Sequence, residues 1–271
     1  MNFLSKKKNY SKYTERDTFS NLTPVTSRTV IEGDYCRIFK GAPRIVPIQT
    51  SVPNETFREL SDQFGHILEG DATREELIPI FAGRVCYQSF GDKAGRKSAD
   101  DYLSHIMDVG HYSILEHSSV SLYFDRVPRF WSHEQVRHRH FNYSQLSQRF
   151  YVPDKVELVI PPALWDTDKI EEEFYAYGEE VGKQYRNRLS ELYSDIGEET
   201  FALKKKSREA ARAILPECTE TKIVVTGNFR SWLEYLQKRN SPDADATFQE
   251  VAKIVKLRLQ QVAPNIYGKG V

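Results

Sequence analysis

The sequence predicts an α+β fold: a helix-rich single domain with a small, mostly antiparallel sheet. Three observations lead there. Amphipathic helical stretches outnumber strand-like ones, the strand-like runs are not spaced as βαβ units, and no G-x-G-x-x-G stretch marks a doubly wound nucleotide-binding sheet. Residues 1–30 are rich in Lys, Ser, Thr, Asn and Arg with few aliphatics, and are expected to form a flexible extension. No repeat and no long Gly/Ser linker follows, so residues 31–271 are expected to be one domain.

Ser98 is placed to cap a helix, with Asp101 three residues on, and Tyr102, Leu103, Ile106 and Met107 form its apolar face. Gly110 supplies the left-handed residue that ends it. Val120, Leu122 and Phe124 then alternate with Ser119, Ser121 and Tyr123, the period-two pattern of a half-buried strand. Pro128 suits the first position of a following helix, which is expected to turn Val136 inward and present residues 137–140 near its end. Asn142, Tyr143 and Ser144 read as a loop. A strand is expected from Val156 to Ile160, halted by Pro161 and Pro162. Ile170, Phe174, Val181, Tyr185, Leu189 and Leu192 mark one long amphipathic helix. A second helix runs from about Glu199 to Ile214, ahead of Pro216, and Ile223 to Val225 suggests a short strand. Ser241 and Pro242 form a cap-and-first-turn pair for the last helix, whose inner face is Phe248, Val251, Val255 and Val262.

Composition limits the function. Of 271 residues, 38 are Lys or Arg and 38 are Asp or Glu, so an anion site has to be local. Cys36, Cys86 and Cys218 are scattered and show no C-x-x-C spacing; neither a disulfide framework nor a zinc site is expected, and a reducing cytoplasm fits. No apolar run approaches the ~18 residues of a membrane span. The start, Met1 to Lys8, has no apolar core behind its charges, so no signal peptide and no membrane association are expected.

The densest chemistry lies in residues 137–149. Arg137, Arg139 and Arg149 bring fixed positive charge, and Asn142, Gln145, Ser144 and Ser147 stand beside it as neutral donors and acceptors. Guanidinium forks and hydroxyls suit phosphate oxygens, and two phosphorylated ligands meeting here would account for the crowding. Six of the seven histidines fall between positions 105 and 140, which raises a metal site as an alternative. His133-Glu134 followed by His138 is one residue too long for H-E-x-x-H, and at about 100° per residue the two rings leave different helix faces. Polar histidines at a wet site are the better reading. Ser147 has no recognisable orienting acid or oxyanion hole, so it is expected to contact a ligand rather than act as a nucleophile. Neither G-x-x-x-x-G-K-[ST] nor G-x-S-x-G occurs.

Arg137-His138-Arg139 followed by seven residues and Ser147 resembles the signature of the flavin-dependent thymidylate synthases. Residues 110–117, from Gly110-His111 to Glu116-His117, resemble the family's G-H-x-[ST]-x-x-E-H segment. Residues 211–216, Ala211-Arg212 to Leu215-Pro216, resemble its A-R-x-x-L-P helix end, and Asn228-Phe229-Arg230 with Arg239 resembles its later N-x-R and arginine. The resemblance holds in order from about residue 80 to 264. It implies conversion of dUMP to dTMP, with carbon from methylenetetrahydrofolate and electrons from NADPH through FAD, without a protein nucleophile. It also implies a homotetramer with active sites built from more than one subunit, and no nucleic-acid partner.

Residue roles carried by the resemblance are as follows. Glu134, Gln135, Val136 and Arg137 form one dUMP-contacting segment, and Gln145, Leu146, Ser147, Gln148 and Arg149 a second. Arg212 adds charge to the nucleotide. Arg239 contacts dUMP and is the catalytic residue, its charge favouring loss of the uracil N3 proton. For FAD the matching positions are Ser113, Arg137, His138, Arg139, Gln145, Asn228, Phe229, Arg230 and Glu234; His111 and Glu116 shape the same pocket. Relatives often carry Asn or His where Glu234 stands and His where Asp243 stands, and an acid there repels phosphate. The rival class is a nucleic-acid module stacking bases on Phe141, Tyr143, Phe150 and Tyr151; zero net charge weighs against it.

Overall fold

Where apolar side chains alternate or run together the chain pairs into strands, and where they recur every third or fourth residue it coils. The computed structural model describes residues 11–16, 27–63, 71–96 and 98–268. Among them the strands are β1 (Ser11–Arg16), β2 (Ser27–Glu32), β3 (Cys36–Lys40), β4 (Arg44–Thr50), β5 (Ser119–Pro128), β6 (Asn142–Gln145), β7 (Val156–Val159) and β8 (Glu220–Asn228). The α-helices are α1 (Glu55–Gln63), α2 (Leu77–Tyr87), α3 (Ala99–Asp108), α4 (Arg129–Gln135), α5 (Ile170–Ile196), α6 (Phe201–Ala211), α7 (Phe229–Arg239), α8 (Ala246–Val262) and α9 (Pro264–Tyr267). The fold is α+β, as expected. Its two sheets run β1-β2-β3-β7 and β4-β5-β8-β6.

The chain divides into two compact units. Unit 1 gathers Met1–Arg44, Asp125–Gln135 and Gln145–Ile223; unit 2 gathers Ile45–Phe124, Val136–Ser144 and Val224–Val271.

In unit 1, β1 and β2 are antiparallel, β2 and β3 are antiparallel, and β3 lies parallel to β7 with Ile38 opposite Leu158. The long helix α5 covers this sheet. Ile170, Val181, Tyr185, Leu189 and Leu192 meet Ile31, Cys36, Ile38, Val156 and Leu158 in one core. The approach is close: a Cβ on Gly182 would come within 2.3 Å of the Tyr35 carbonyl oxygen, so this turn of α5 needs a residue without one. In unit 2, Val120, Leu122 and Phe124 are fully buried, and the Trp232 indole N–H of α7 donates to the Val120 carbonyl at 3.1 Å.

Several expectations hold in detail. Ser98 Oγ accepts from the Asp101 N–H at 3.0 Å, and Gly110 takes φ 74° just past the end of α3. The β7 strand and α5 lie where expected, and α6 passes into a single 3-10 turn, Arg212–Ile214, ahead of Pro216.

Others are corrected. Pro128 is the last residue of β5, not the first of α4. That helix buries Trp131, Ser132 and Gln135 and ends there, so Val136, about 100° further round, is 41% exposed rather than inward. Asn142 to Ser144 form part of edge strand β6, because pairing within the sheet outweighs the turn preference of Asn and Ser. The last long helix starts at Ala246, capped by Asp245, whose carboxylate accepts from the Thr247 N–H at 2.8 Å; Ser241 instead accepts from the Asp243 N–H within the preceding turn, at 3.3 Å. Of the extension expected over residues 1–30, residues 1–10 and 17–26 lie outside the described residues. Ser11–Arg16 and Ser27–Glu32 are strands, and the Lys12 ammonium pairs with Glu171 of α5. A strand of polar residues at a sheet edge gives little periodic signal, which is why composition alone suggested an extension.

Candidate active site

In unit 1, the Gln145–Arg149 segment leaves the end of β6 and is tied down by backbone and hydroxyl contacts. The Leu146 N–H donates to the Lys222 carbonyl at 2.8 Å. The Gln145 amide nitrogen donates to Ser132 Oγ at 2.7 Å and Thr221 Oγ1 at 3.1 Å, two buried hydroxyls supplied by α4 and β8. Beyond it the chain makes a tight turn, with the Phe150 and Tyr151 N–H groups both donating to the Ser147 carbonyl, at 3.1 and 3.0 Å. Ser147 Oγ accepts from the Arg149 N–H at 3.4 Å, which leaves its own hydrogen to donate. Arg149 pairs with Glu209 at 2.8 Å on a half-exposed surface. Arg212 stands in the turn that ends α6.

The neighbouring strand residue is a buried acid. Glu220 is 5% exposed and accepts from the Arg126 N–H at 3.0 Å. Burial pushes its carboxyl up to about 7; Lys222 and the Arg126 N–H oppose the shift, while Glu157 and Asp125 reinforce it.

In unit 2, His138 and Arg239 form the central pair. The Arg239 Nε–H donates to His138 Nε2 at 3.0 Å, and the guanidinium carbon lies 4.0 Å from the centre of the Phe248 ring. His138 packs edge-on to Tyr235 and Phe141. Burial, followed by the charges of Arg239 and Lys238, lowers its pKa to about 4, so at neutral pH it is an uncharged imidazole with its proton on Nδ1. Glycine makes room for this packing: a Cβ on Gly227 would fall 2.4 Å from the Phe141 ring.

A second feature of unit 2 is a cavity of about 340 Å³, lined among others by Cys86, Tyr87, His111, Ser113, Ile114 and Arg230. Tyr87 and His111 stack with centroids 6.5 Å apart and planes 13° from parallel. Arg230 is held by Glu116 at 2.7 Å and by Glu234, one helical turn on, at 3.0 Å. The acid at position 234 is therefore neutralised locally.

The structure sorts the expected residues. Gln145, Leu146 and Ser147 share the tethered segment of unit 1; Gln148 and Arg149 follow in its turn. Ser113 and Arg230 line one cavity, as does His111, and Glu116 reaches it through Arg230. Arg137, Arg139 and Glu134 are exposed, whereas Gln135 is fully buried on α4. Asn228 caps α7, its Oδ1 accepting from the N–H and the hydroxyl of Ser231, both at 2.8 Å. The Phe229 side chain lies in the core with no exposure, and its backbone is engaged by Ser118 and Tyr267. Ser132, Thr221 and Tyr87 went unnoticed in the sequence: each is an ordinary strand or helix residue whose partner is remote in the chain.

Comparison with known proteins gives the family. A family model described as "Thymidylate synthase complementing protein" matches residues 70–265. A flavin-dependent thymidylate synthase of Mycobacterium avium is 42% identical over 201 residues, covering 73% of this chain and 80% of the relative. One from Mycolicibacterium gilvum is 43% identical over 201 residues with the same coverage, and one from Corynebacterium glutamicum 41% over 202. The fold and the matched stretch define a methyltransferase-class enzyme of the α+β type. The chain belongs to the flavin-dependent thymidylate synthase family. Among the described residues no helix is long and apolar enough to cross a membrane.

Proposed function

We propose that this protein makes dTMP by reductive methylation of dUMP, taking carbon from methylenetetrahydrofolate and electrons from NADPH through bound FAD. The observation that carries this reading is the family match over residues 70–265, which contains every candidate site residue. The residues in hand suit FAD. The unit 2 cavity joins flat rings, a serine and an arginine, and about 340 Å³ lies within the usual range of ligand pockets, enough for part of a dinucleotide. Ser113 and Arg230 would hold it there, with Arg137, His138, Arg139, Gln145 and the Asn228–Glu234 stretch as further contacts. When bound, FAD supplies the reducing equivalents.

The chain's own groups do the rest. Ser147, with its hydroxyl hydrogen available, and the Arg149 fork receive the dUMP phosphate, together with Gln148 and Arg212. Glu134, Gln135, Val136 and Arg137 form the second dUMP segment. Arg239 faces the uracil ring and favours its N3-deprotonated form, which increases electron density at C5. His138 positions Arg239 by accepting its Nε–H, and because it is neutral it adds no second charge. No thiolate takes part in the proposed reaction: burial raises the Cys36 thiol well above its ordinary range and pushes Cys218 up to about 11, and Cys86, exposed at the unit 2 cavity, is assigned no step. The active form is a cytoplasmic homotetramer in which more than one subunit completes each site.

The test is direct. Purified protein is expected to be yellow and to release the C5 proton of dUMP only when NADPH and methylenetetrahydrofolate are both present. A colourless preparation that also fails to take up added FAD would defeat the reading.

A further inference from the structure

Helix α6 carries a face of rings and cations. Phe201, Lys204, Lys205 and Arg208 are three or four residues apart along it, so at about 100° per residue they share one side. Arg212, in the turn that continues the helix, falls on the same line. Phe150, in the turn that follows Ser147, is laid against this side. Its ring stacks on Phe201 with centroids 5.9 Å apart and planes 24° from parallel, and the Lys205 ammonium stands 4.9 Å from its centre. The Phe150 carbonyl accepts from Arg208 Nη1 at 2.9 Å, while Arg208 Nε donates to the Tyr193 hydroxyl at 3.1 Å. The Arg149–Glu209 ion pair, at 2.8 Å, ties the same turn to the helix.

The face is held in place from behind and left open in front. Phe150 and Phe201 are 51% and 63% exposed. Among the described residues no carboxylate pairs with Lys204, Lys205, Arg208 or Arg212. The cations recur about every 5–6 Å along the axis, three or four residues at about 1.5 Å each. A matching ligand carries carboxylates at short intervals, joined by apolar stems: the carboxylates meet the cations and the stems cover the rings. A second copy of the same face does not match, because two-fold pairing sets like charges against each other. A polynucleotide is poorly matched as well. The chain has 38 basic and 38 acidic residues, and Glu198 and Glu199 stand exposed just ahead of the helix.

We propose that this face binds the poly-γ-glutamyl tail of the folate co-substrate. Each γ-linked glutamate brings a carboxylate and a short methylene stem, the alternation that the rings and cations complement. The inference rests on the methylenetetrahydrofolate reading above for the identity of the ligand, and on the geometry of α6 and Phe150 for its charge and shape. The face adjoins the turn after Ser147, so the tail lies beside the segment assigned to dUMP. Long-tailed folates are therefore the preferred carbon donors.

The test uses the full-length, flavin-loaded protein with dUMP and NADPH, and compares methylenetetrahydrofolate bearing one glutamate with the form bearing five. In low salt the KM of the longer form should be roughly 10-fold lower, the size of about three exposed ion pairs. The double variant Lys204→Gln/Lys205→Gln should shrink that ratio to about twofold or less, with kcat and the one-glutamate KM within twofold of wild type. A wild-type ratio near one, or a ratio that survives the double substitution, overturns the proposal. Phe201→Ser should raise the five-glutamate KM more than the one-glutamate KM and leave the mass of the assembly unchanged; a change of mass would make the ring pair a subunit contact and overturn the proposal. If wild-type protein turns over neither folate, the thymidylate reading fails by itself. Calorimetry with penta-γ-glutamate alone then decides: binding that the double variant abolishes supports the face as a carboxylate site, and absence of binding sinks it. A single-stranded oligonucleotide held more tightly than penta-γ-glutamate at the same salt would assign the face to nucleic acid and also sink it.

Discussion

In unit 2, Arg230 is bound by Glu116 and Glu234, and Arg239 donates to His138. In unit 1, Arg149 pairs with Glu209 at 2.8 Å, whereas the Arg129 Nη1 is buried and meets no acceptor among the described residues. The difference separates two uses of the same side chain. A guanidinium already matched within the protein orients: it keeps its direction whether or not a ligand is present. A buried guanidinium nitrogen with no acceptor instead carries the cost of its lost hydration. The buried titratable groups differ in the same sense. Unit 2 keeps a histidine neutral beside a cation, and unit 1 keeps a carboxyl part-protonated among other acids.

The largest effect should come from the orienting arginine. Arg239→Ala is expected to lower kcat by 10²–10³-fold, on the scale of removing one preorganised electrostatic contact to the reacting group. The same variant has a spectroscopic signature. With the neighbouring charge gone, the His138 pKa should rise from about 4 toward its ordinary value, as read by NMR titration. A variant within threefold of wild type in turnover would remove Arg239 from the reaction. An unmoved His138 would mean that burial alone depresses it.

The two units should respond to pH in opposite directions. His138 binds its proton less readily folded than unfolded, so its contribution is present above about pH 6.5 and is lost as pH falls toward 4. Glu220 holds its proton more tightly when folded, so its contribution is present below about pH 4.5 and is lost as pH rises through 7. Each is expected to be on the order of 1–3 kcal/mol. His138→Gln should flatten the acid-side loss, and Glu220→Gln the loss toward alkaline pH, in urea melts taken from pH 4 to 8. If the two substitutions flatten the same limb, the contrast between the units is wrong.

Packing next to the histidine gives a comparable or smaller effect. Gly227→Ala places a methyl 2.4 Å from Phe141 ring carbons, and Phe141 lies edge-on to His138. Overpacking of this kind costs roughly 1–3 kcal/mol. Thermal melts would measure it, and an unchanged midpoint would mean that the ring moves aside without cost.

Much of this was legible in the chain. The α3 cap and stop were written in Ser98, Asp101 and Gly110, and the buried strand in the alternation around Val120, because both depend on neighbours a few residues away. Strand β6 was not, since Asn142 to Ser144 favour a turn until a sheet edge accepts them. Val136 looked like core because it is apolar, but helix α4 stops one residue short of it. The site divides in the same way. Motif spacing pointed to Gln145, Ser147, Arg230 and Arg239, yet could not reveal that Phe229 would be core or that Asn228 would cap a helix.

The smallest prediction sharpens the comparison most. Glu116 and Arg230 are both well exposed, so their ion pair should be worth under about 1 kcal/mol to stability. Glu116→Gln should therefore barely move the melting temperature. It should nonetheless change the cavity's charge, because Arg230 would then be balanced by Glu234 alone. FAD affinity is expected to rise a few-fold in low salt, and the gain should fade as salt screens the exposed charges. Arg230→Gln should act in the opposite sense, weakening FAD at every salt concentration because a direct contact is lost. If both substitutions weaken FAD equally, the pair serves only to brace α7, and Arg230 would no longer count as a ligand-facing residue.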